Sequence, residues 1–304
     1  MNPILLGGIA AVAWGAHDFA ARFTGARIGA LMTLLGVTGI GLLALTLWLV
    51  IAGAGLPALQ PAELWRVGVM GVAFTLATLW LYEAVSRGPF ALVSPIVGAY
   101  PVSALLFFVA TGVRPSFDQW AAIFLVLIGV ALVAIAAREE ADATGPAGAQ
   151  ADDGTAAISA AALSSGELRR VIVFSALSHV AFAVAITAGQ FAAPVYGELE
   201  ATWLSRIFGL LLIVTLVLAR AALRSIPLAW TPVVGAMGLA DILALSAVSA
   251  AGNAPGAELA TVVSSIFGIV AIVLARVFLG EKINRVQWLA IAIVFAGTAY
   301  LSAA

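Results

Sequence analysis

The chain has 304 residues, of which 63% are hydrophobic and only 10% are charged, and its mean hydropathy is +1.13. Soluble domains carry nearer one-quarter charged residues, so this composition indicates a protein that lies in lipid. The net charge of -1 gives no reason to expect nucleic acid as a partner, and the absence of cysteine excludes disulfides, thiol catalysis and Cys-ligated metal sites.

Ten segments are apolar and long enough to cross a membrane, since a span needs about 20 mostly apolar residues. The predicted spans are 3–21, 28–52, 64–85, 91–111, 118–137, 168–189, 199–219, 229–250, 258–279 and 286–303. The first begins without a basic region before it, so we expect it to remain as a membrane helix and not to be cleaved as a signal peptide.

One connection is much longer than the others. Residues 138–167 are rich in Ala, Gly, Ser and acidic residues, which is typical of a disordered, flexible linker. Because this segment falls between the fifth and sixth spans, we predict one five-helix repeat over residues 1–137 and a second over 168–304.

Part of the chain occurs twice. At a constant offset of 168, Gly112, Gln119, Trp120 and Gly129 recur as Gly280, Gln287, Trp288 and Gly297. A self-match at fixed spacing indicates duplicated architecture. Five spans per repeat is an odd number, so the second repeat must begin on the opposite side of the membrane. The predicted fold class is therefore an all-α integral membrane protein with ten transmembrane helices in two inverted five-helix repeats.

The basic residues predict an orientation. Eleven of the 14 lysines and arginines lie on the membrane face that holds the loops after the odd-numbered spans. By the positive-inside rule, this distribution puts both termini outside the cell.

The better copy of the duplicated motif covers residues 280–288 and continues to Gly297. Together with residues 82–89, 93–95 and 100–101, it resembles the signature of the drug/metabolite transporter superfamily, EamA type. The resemblance implies secondary transport, usually export of amino acids, other metabolites or toxic compounds, with both termini inside, which differs from the charge distribution. Glu281, although part of the motif, is expected in a solvated turn with its basic neighbours.

We therefore predict a secondary active transporter that exports small organic metabolites, amino acids or related amphipathic compounds, by alternating access, either proton-coupled or facilitative. The chain lacks the phosphate-binding loop of an ATP-driven machine, and its two histidines exclude a multi-His metal site. We expect no enzymatic activity, cofactor or metal, a monomer or dimer, and a bacterial plasma (inner) membrane. The expected partners are lipid, a small-molecule substrate and protons. A passive channel and an enzyme acting on a lipid-linked substrate stay open as alternatives.

Ionisable residues at membrane depth are costly and mark candidate functional sites. At about 1.5 Å per helical residue, His179, Arg206 and Asp241 all fall near the midplane of neighbouring spans. Asp241 is the predicted carrier of a coupling proton, with Arg206 and His179 tuning its pKa; alternatively, Arg206 holds a substrate carboxylate. A structural Asp241–Arg206 pair and a His179 that only bonds a carbonyl across helices are the other interpretations.

The first repeat carries a different polar set. Trp14, His17 and Asp18 share one face of span 1, because they stand at spacings i, i+3 and i+4. Trp14 is interpreted either as an aromatic wall for the substrate or as plain helix packing. His17, Asp18 and Glu83 lie towards one membrane face, which suggests a gate, although interfacial solvation is the simpler interpretation.

Six further residues complete the predicted substrate-binding or coupling set: Thr78, Tyr82, Tyr100, Trp203, Ser264 and Ser265. Pro95 and Pro101 predict a kink in span 4, because proline removes a backbone donor. The freed carbonyl groups of such a kink line a cavity or pack against protein.

Overall fold

The computed structural model describes residues 2–53, 57–110, 112, 114–144, 163–221, 224–251, 260 and 263–303. Within these ranges the protein is all-helical and contains no strand. Most of the predicted linker and the first residues of predicted span 9 lie outside the described residues.

Eleven α-helices make up the described ranges: α1 (Pro3–Ile28), α2 (Ala30–Ile51), α3 (Leu64–Val85), α4 (Phe90–Gly98), α5 (Tyr100–Ala110), α6 (Phe117–Thr144), α7 (Ser165–Tyr196), α8 (Glu198–Ala219), α9 (Thr231–Ala251), α10 (Phe267–Leu279) and α11 (Arg285–Ala303). By length and composition, eight helical segments of this part of the chain can cross a membrane, and α10 and the apolar part of α11 are shorter. The protein is thus a multi-pass all-α membrane protein.

The observed helices correct several predicted boundaries. Predicted span 1 ended at residue 21, but α1 continues to Ile28. Helix α6 extends into the predicted linker as far as Thr144, and α7 begins at Ser165 because a capping box at Ser164 starts it. At the kink predicted in span 4, the helix is interrupted at Ala99, between α4 and α5 and two residues before Pro101.

A repeated glycine joins the first two helices of each half. Gly29 separates α1 from α2 with φ of 85° and ψ of 145°, and Gly197, 168 positions later, separates α7 from α8 with φ of 90° and ψ of 156°. Residues with a side chain rarely adopt positive φ, so glycine is needed at both turns. This pair of equivalent positions was missed in the sequence, where a lone glycine carries little signal.

The duplicated glutamines start two helices. Ser116 Oγ accepts a hydrogen bond from the Gln119 amide over 3.2 Å, and Gln119 Oε1 accepts one from the Ser116 amide over 2.8 Å. Asn284 and Gln287 make the same exchange before α11, over 2.8 and 2.9 Å. Each pair is a capping box, an arrangement that stabilises a helix end by about 1 kcal/mol.

The duplicated glycines of α6 and α11 let these helices approach closely. A Cβ atom on Gly129 would lie 2.8 Å from Val294 Cγ2, and one on Gly297 would lie 2.5 Å from Val126 Cγ2. Val126 and Val294 are themselves 168 positions apart, so the same contact forms twice with the two halves exchanged.

The helices around the centre also make contacts that form twice, with the two halves exchanged. Helix α3 packs along α7 and α9 packs along α1; α3 crosses α8 and α9 lies against α2; α5 packs on α7 and α10 packs on α1. Two further contacts join equivalent helices of the two halves, namely α2 with α8 and α6 with α11. Each of these pairings therefore either has a counterpart with the halves exchanged or is its own counterpart.

Two glycines permit the crossing of α3 and α8. A Cβ atom on Gly71 would overlap the carbonyl oxygen of Ser205, and one on Gly209 would overlap Thr75 Oγ1. Small residues at helix crossings bring backbones close together in membranes. The crossing brings Thr75 and Ser205 to the centre of the protein.

We expect Gly71→Ala to destabilise the protein by about 1–3 kcal/mol, because the added methyl group has no room against the backbone of α8. Gly39→Ala in α2 is the matched control, since nothing lies within 4 Å of a Cβ atom there. Thermal unfolding of both purified variants in detergent measures the difference. Equal Tm values for the two variants would contradict the tight crossing.

Candidate functional site

A cavity of about 120 Å³ lies among helices of both halves. The described residues that line it come from α1, α2, α3, α5, α7, α8, α9 and α10, and none comes from α6 or α11. Sites for drug-sized ligands occupy roughly 300–1,000 Å³, so this cavity suits a smaller molecule, about the size of an amino acid. Its wall includes five aromatic residues, Trp14, Phe74, Tyr100, Phe182 and Phe267.

A buried ion pair lies on one side of the cavity. Arg206 Nη2 donates to Asp241 Oδ2 over 2.5 Å, and Trp14 Nε1 donates to Asp241 Oδ1 over 3.1 Å. The side chains of Arg206 and Asp241 are each 9% exposed. Within the described ranges, Arg206 Nε is buried without a hydrogen-bond partner. The structure thus brings together Trp14, Arg206 and Asp241, which come from α1, α8 and α9.

A second polar group lies on the same wall. His17 Nδ1 is 3.0 Å from Asp18 Oδ1, and His17 Nε2 is 2.9 Å from the hydroxyl oxygen of Tyr82. His17 and Asp18 line the cavity, whereas Tyr82 is fully buried and does not.

The interfacial solvation expected for His17 and Asp18 is wrong, because both side chains are buried. The error comes from the predicted end of span 1. Asp18 lies ten residues before Ile28, the true end of α1, which corresponds to about 15 Å along a helix.

Glu83 does not join this group. Its carboxylate pairs with Arg87 one turn later on the chain, and its side chain is 27% exposed. The proposed gate of His17, Asp18 and Glu83 is therefore not assembled in this conformation, and solvation describes Glu83 well.

His179 lies at the break in span 4 and does not line the cavity. Its Nδ1 donates to the carbonyl oxygen of Ile96 in α4 over 2.9 Å, and its Nε2 is 2.6 Å from Ser103 Oγ in α5. The structure therefore does not bring His179 to the Asp241–Arg206 pair. His179 instead bridges α4 and α5, which agrees with the interpretation that it bonds a carbonyl group across helices.

The other predicted residues divide between cavity and packing. Thr78 and Tyr100 line the cavity, and the Tyr100 ring centroid is 6.1 Å from that of Phe182. Trp203 lies elsewhere and donates from Nε1 to Thr46 Oγ1 over 2.8 Å. Ser264 and Ser265 are also buried and do not line the cavity.

Glu281 corrects another prediction. Its side chain is only 3% exposed, so the solvated turn expected for it is wrong, although Lys282 and Arg285 are exposed. The preceding Gly280 has φ of 70°, and this left-handed turn lets the Glu281 amide donate back to the carbonyl oxygen of Ala275 over 3.3 Å.

The cavity wall uses the same positions of both halves. Four pairs of lining residues stand 168 positions apart: Trp14 and Phe182, Asp18 and Ile186, Val37 and Ser205, and Thr38 and Arg206. The positions are shared but the chemistry is not, because the equivalents of Asp18 and Arg206 are the uncharged residues Ile186 and Thr38. Sequence reasoning missed the phenylalanines of this wall, because an apolar residue in an apolar span gives no signal.

The described ranges contain no group of three or more His, Cys, Asp or Glu side chains that could hold a metal ion. The polar groups of the cavity instead offer hydrogen bonds and charge to an organic molecule. Arg206 brings a positive charge to the lining, and Asp18 and Asp241 bring carboxylate oxygens.

Comparison with known proteins gives a family and a fold. The model of the EamA-like transporter family matches residues 1–135 and 169–303. A protein of known crystal structure is similar with a TM-score of 0.60 and 19% identity, over 98% of this chain and 95% of that one, which shows a shared fold. Among curated proteins, none is significantly similar in sequence.

We expect Asp241→Asn to destabilise the protein by about 3–5 kcal/mol, because it leaves the Arg206 guanidinium buried without a counter-charge. The double variant Asp241→Asn/Arg206→Gln removes both charges and should recover part of this loss. Thermal unfolding of the wild type, both single variants and the double variant forms a double-mutant cycle. Strictly additive effects would contradict a coupled pair.

Proposed function

Because the chain belongs to the EamA-like transporter family, we propose that it is a secondary active transporter that exports small amphipathic metabolites, such as amino acids. The observation that carries the proposal is the buried cavity, which offers an ion pair and aromatic walls in the middle of an apolar protein. Such a site suits a solute that must leave water, cross lipid and be released. The proposal includes the plasma (inner) membrane of a bacterium and a monomer or dimer.

The proposed architecture is ten membrane helices in two inverted five-helix repeats, 1–137 and 168–304, joined by the linker 138–167. The exchanged helix pairings and the equivalent turns at Gly29 and Gly197 support this arrangement. In alternating access between such repeats, each repeat adopts the conformation of the other, and the central site opens to the opposite side.

The lining suggests how an amino acid would bind. Its carboxylate would accept hydrogen bonds from the Arg206 guanidinium, because Arg206 lines the cavity. Its ammonium group would lie towards Asp18 and Asp241. An apolar side chain would pack on the rings of Phe182 and Phe267, which line the same cavity.

Counterflow in proteoliposomes tests this function. Vesicles that contain the purified protein are loaded with unlabelled phenylalanine, leucine or threonine and diluted into a trace of the same labelled amino acid. A carrier gives transient accumulation of label above equilibrium. Simple equilibration would instead indicate a channel, and no movement of any of the three probes would overturn the proposal as stated for amino acids.

The cysteine-free chain allows a site-directed block. We expect Thr78→Cys, in the cavity wall, to lose counterflow after reaction with a bulky methanethiosulfonate, because the adduct fills a volume of about 120 Å³. Leu76→Cys is the matched control, since Leu76 lies on the same helix in an outer apolar groove. Activity of each variant before labelling shows that it is folded. Equal inhibition at both positions, or at neither, would contradict a pathway through the cavity.

A further inference from the structure

The two aspartates of the cavity have partners of different kinds. Both oxygens of Asp241 accept hydrogen bonds, one from the Trp14 indole and one from the Arg206 guanidinium. Indole and guanidinium groups are donors only. Protonation would remove the negative charge that strengthens both of these bonds, so the surroundings of Asp241 favour the carboxylate.

His17 has partners that suit two protonation states. In the neutral ring, Nδ1 donates to Asp18 Oδ1, and Nε2 accepts from the Tyr82 hydroxyl. In the protonated ring both nitrogens donate, and the Tyr82 hydroxyl rotates to accept, since a hydroxyl serves as donor or acceptor. No hydrogen bond is lost when the proton arrives or leaves.

We propose that His17, held between Asp18 and Tyr82, is the site where the transporter binds its coupling proton, and that Asp241 is a fixed anion. This inference rests on the proposed transport function and reassigns the proton that the sequence had placed on Asp241. The proton adds to His17 Nε2, the atom 2.9 Å from the Tyr82 hydroxyl oxygen, and is released from the same atom.

The charges around His17 support this assignment. The titratable groups that face it are Asp18 from its own helix, Tyr82 from α3, Arg206 from α8 and Asp241 from α9. Helices α2 and α10 contribute Thr38 and Phe267 to the same cavity, and neither of these is charged.

The charges that face His17 leave an excess of one negative charge. Two carboxylates stand against one guanidinium, so the cavity is net negative when His17 is neutral. Protonation of His17 removes that excess. The proton therefore changes the field that a charged substrate meets, which is what coupling requires.

A direct test is possible because the chain has two histidines. ¹⁵N-imidazole NMR of the full-length protein in lipid nanodiscs follows both rings across pH. We expect the His17 ring to change from doubly to singly protonated as the pH rises from about 5 to 8, the range in which histidine usually titrates. His17→Gln and His179→Gln assign the signals. A His17 ring that keeps one protonation state throughout would overturn the proposal.

Infrared spectroscopy of the same samples tests the second part of the proposal, that Asp241 stays ionised. We expect no protonated-carboxyl band that depends on Asp241 anywhere in this pH range. Such a band, present in the wild type and lost in the charge-balanced variant Asp241→Asn/Arg206→Gln, would assign the proton to Asp241 and overturn the proposal.

Transport measurements connect the proton to function. The readout is the ratio of labelled phenylalanine movement with and without a pH gradient across the proteoliposome membrane. We expect the gradient to change this rate in the wild type and in His179→Gln, and to have no effect in His17→Gln. Tyr82→Phe should weaken the response, because the protonated ring then lacks an acceptor at Nε2. A full gradient response in His17→Gln would overturn the proposal.

The two possible failures are distinguishable. If wild-type protein shows no counterflow of the amino-acid probes, the proposed function fails, and NMR and infrared spectroscopy still decide the proton site. If counterflow occurs but His17 does not titrate, only the proton site is wrong.

Discussion

The structure depends on how a charged pair is kept inside an apolar protein. Arg206 and Asp241 come from adjacent helices of one half, and Trp14 reaches them from the other half. Charges at membrane depth are tolerated only where they are paired or face a cavity, and here both conditions hold. The hydrogen bond from Trp14 makes α1 part of the arrangement, and the glycine crossing of α3 and α8 brings the remaining wall close enough to enclose the site. The contacts that pack the helices therefore also hold the buried charges in place.

The duplicated motif stabilises the helices α6 and α11 and does not contribute to the described lining of the cavity. Its glutamines cap α6 and α11, and its glycines let these two helices pack, away from the described lining of the cavity. Because capping and close packing need specific residues, these positions remain recognisable in both halves. The lining positions are equivalent too, but Thr38 and Arg206 show that their chemistry has diverged.

The sequence predicted most of the fold because apolar runs and turn residues are strong signals for membrane helices. It was less accurate where a charged residue lies at a helix end. Arg22 follows predicted span 1 and was therefore assigned to a loop. It is instead buried in α1 and donates to the carbonyl oxygens of Val85, the last residue of α3, and of Gly88. For the site, depth along the chain brought Asp241 and Arg206 together correctly. Depth alone could not show that His179 faces α4 and α5, because the direction of a side chain depends on helix rotation, which composition does not report.

The single copy of the ion pair has an energetic consequence. In an assembly of two identical repeats, the conformations open to either side would have the same free energy. Here a guanidinium and a carboxylate occupy one half, whereas the equivalent of Arg206 in the other is Thr38. In the proposed alternating access, exchange of conformations between the halves would place these charges differently in the two states, which would then differ in free energy. If the proposed mechanism holds, we expect the empty protein to prefer one of the two states, because a few side chains have diverged within a shared backbone plan.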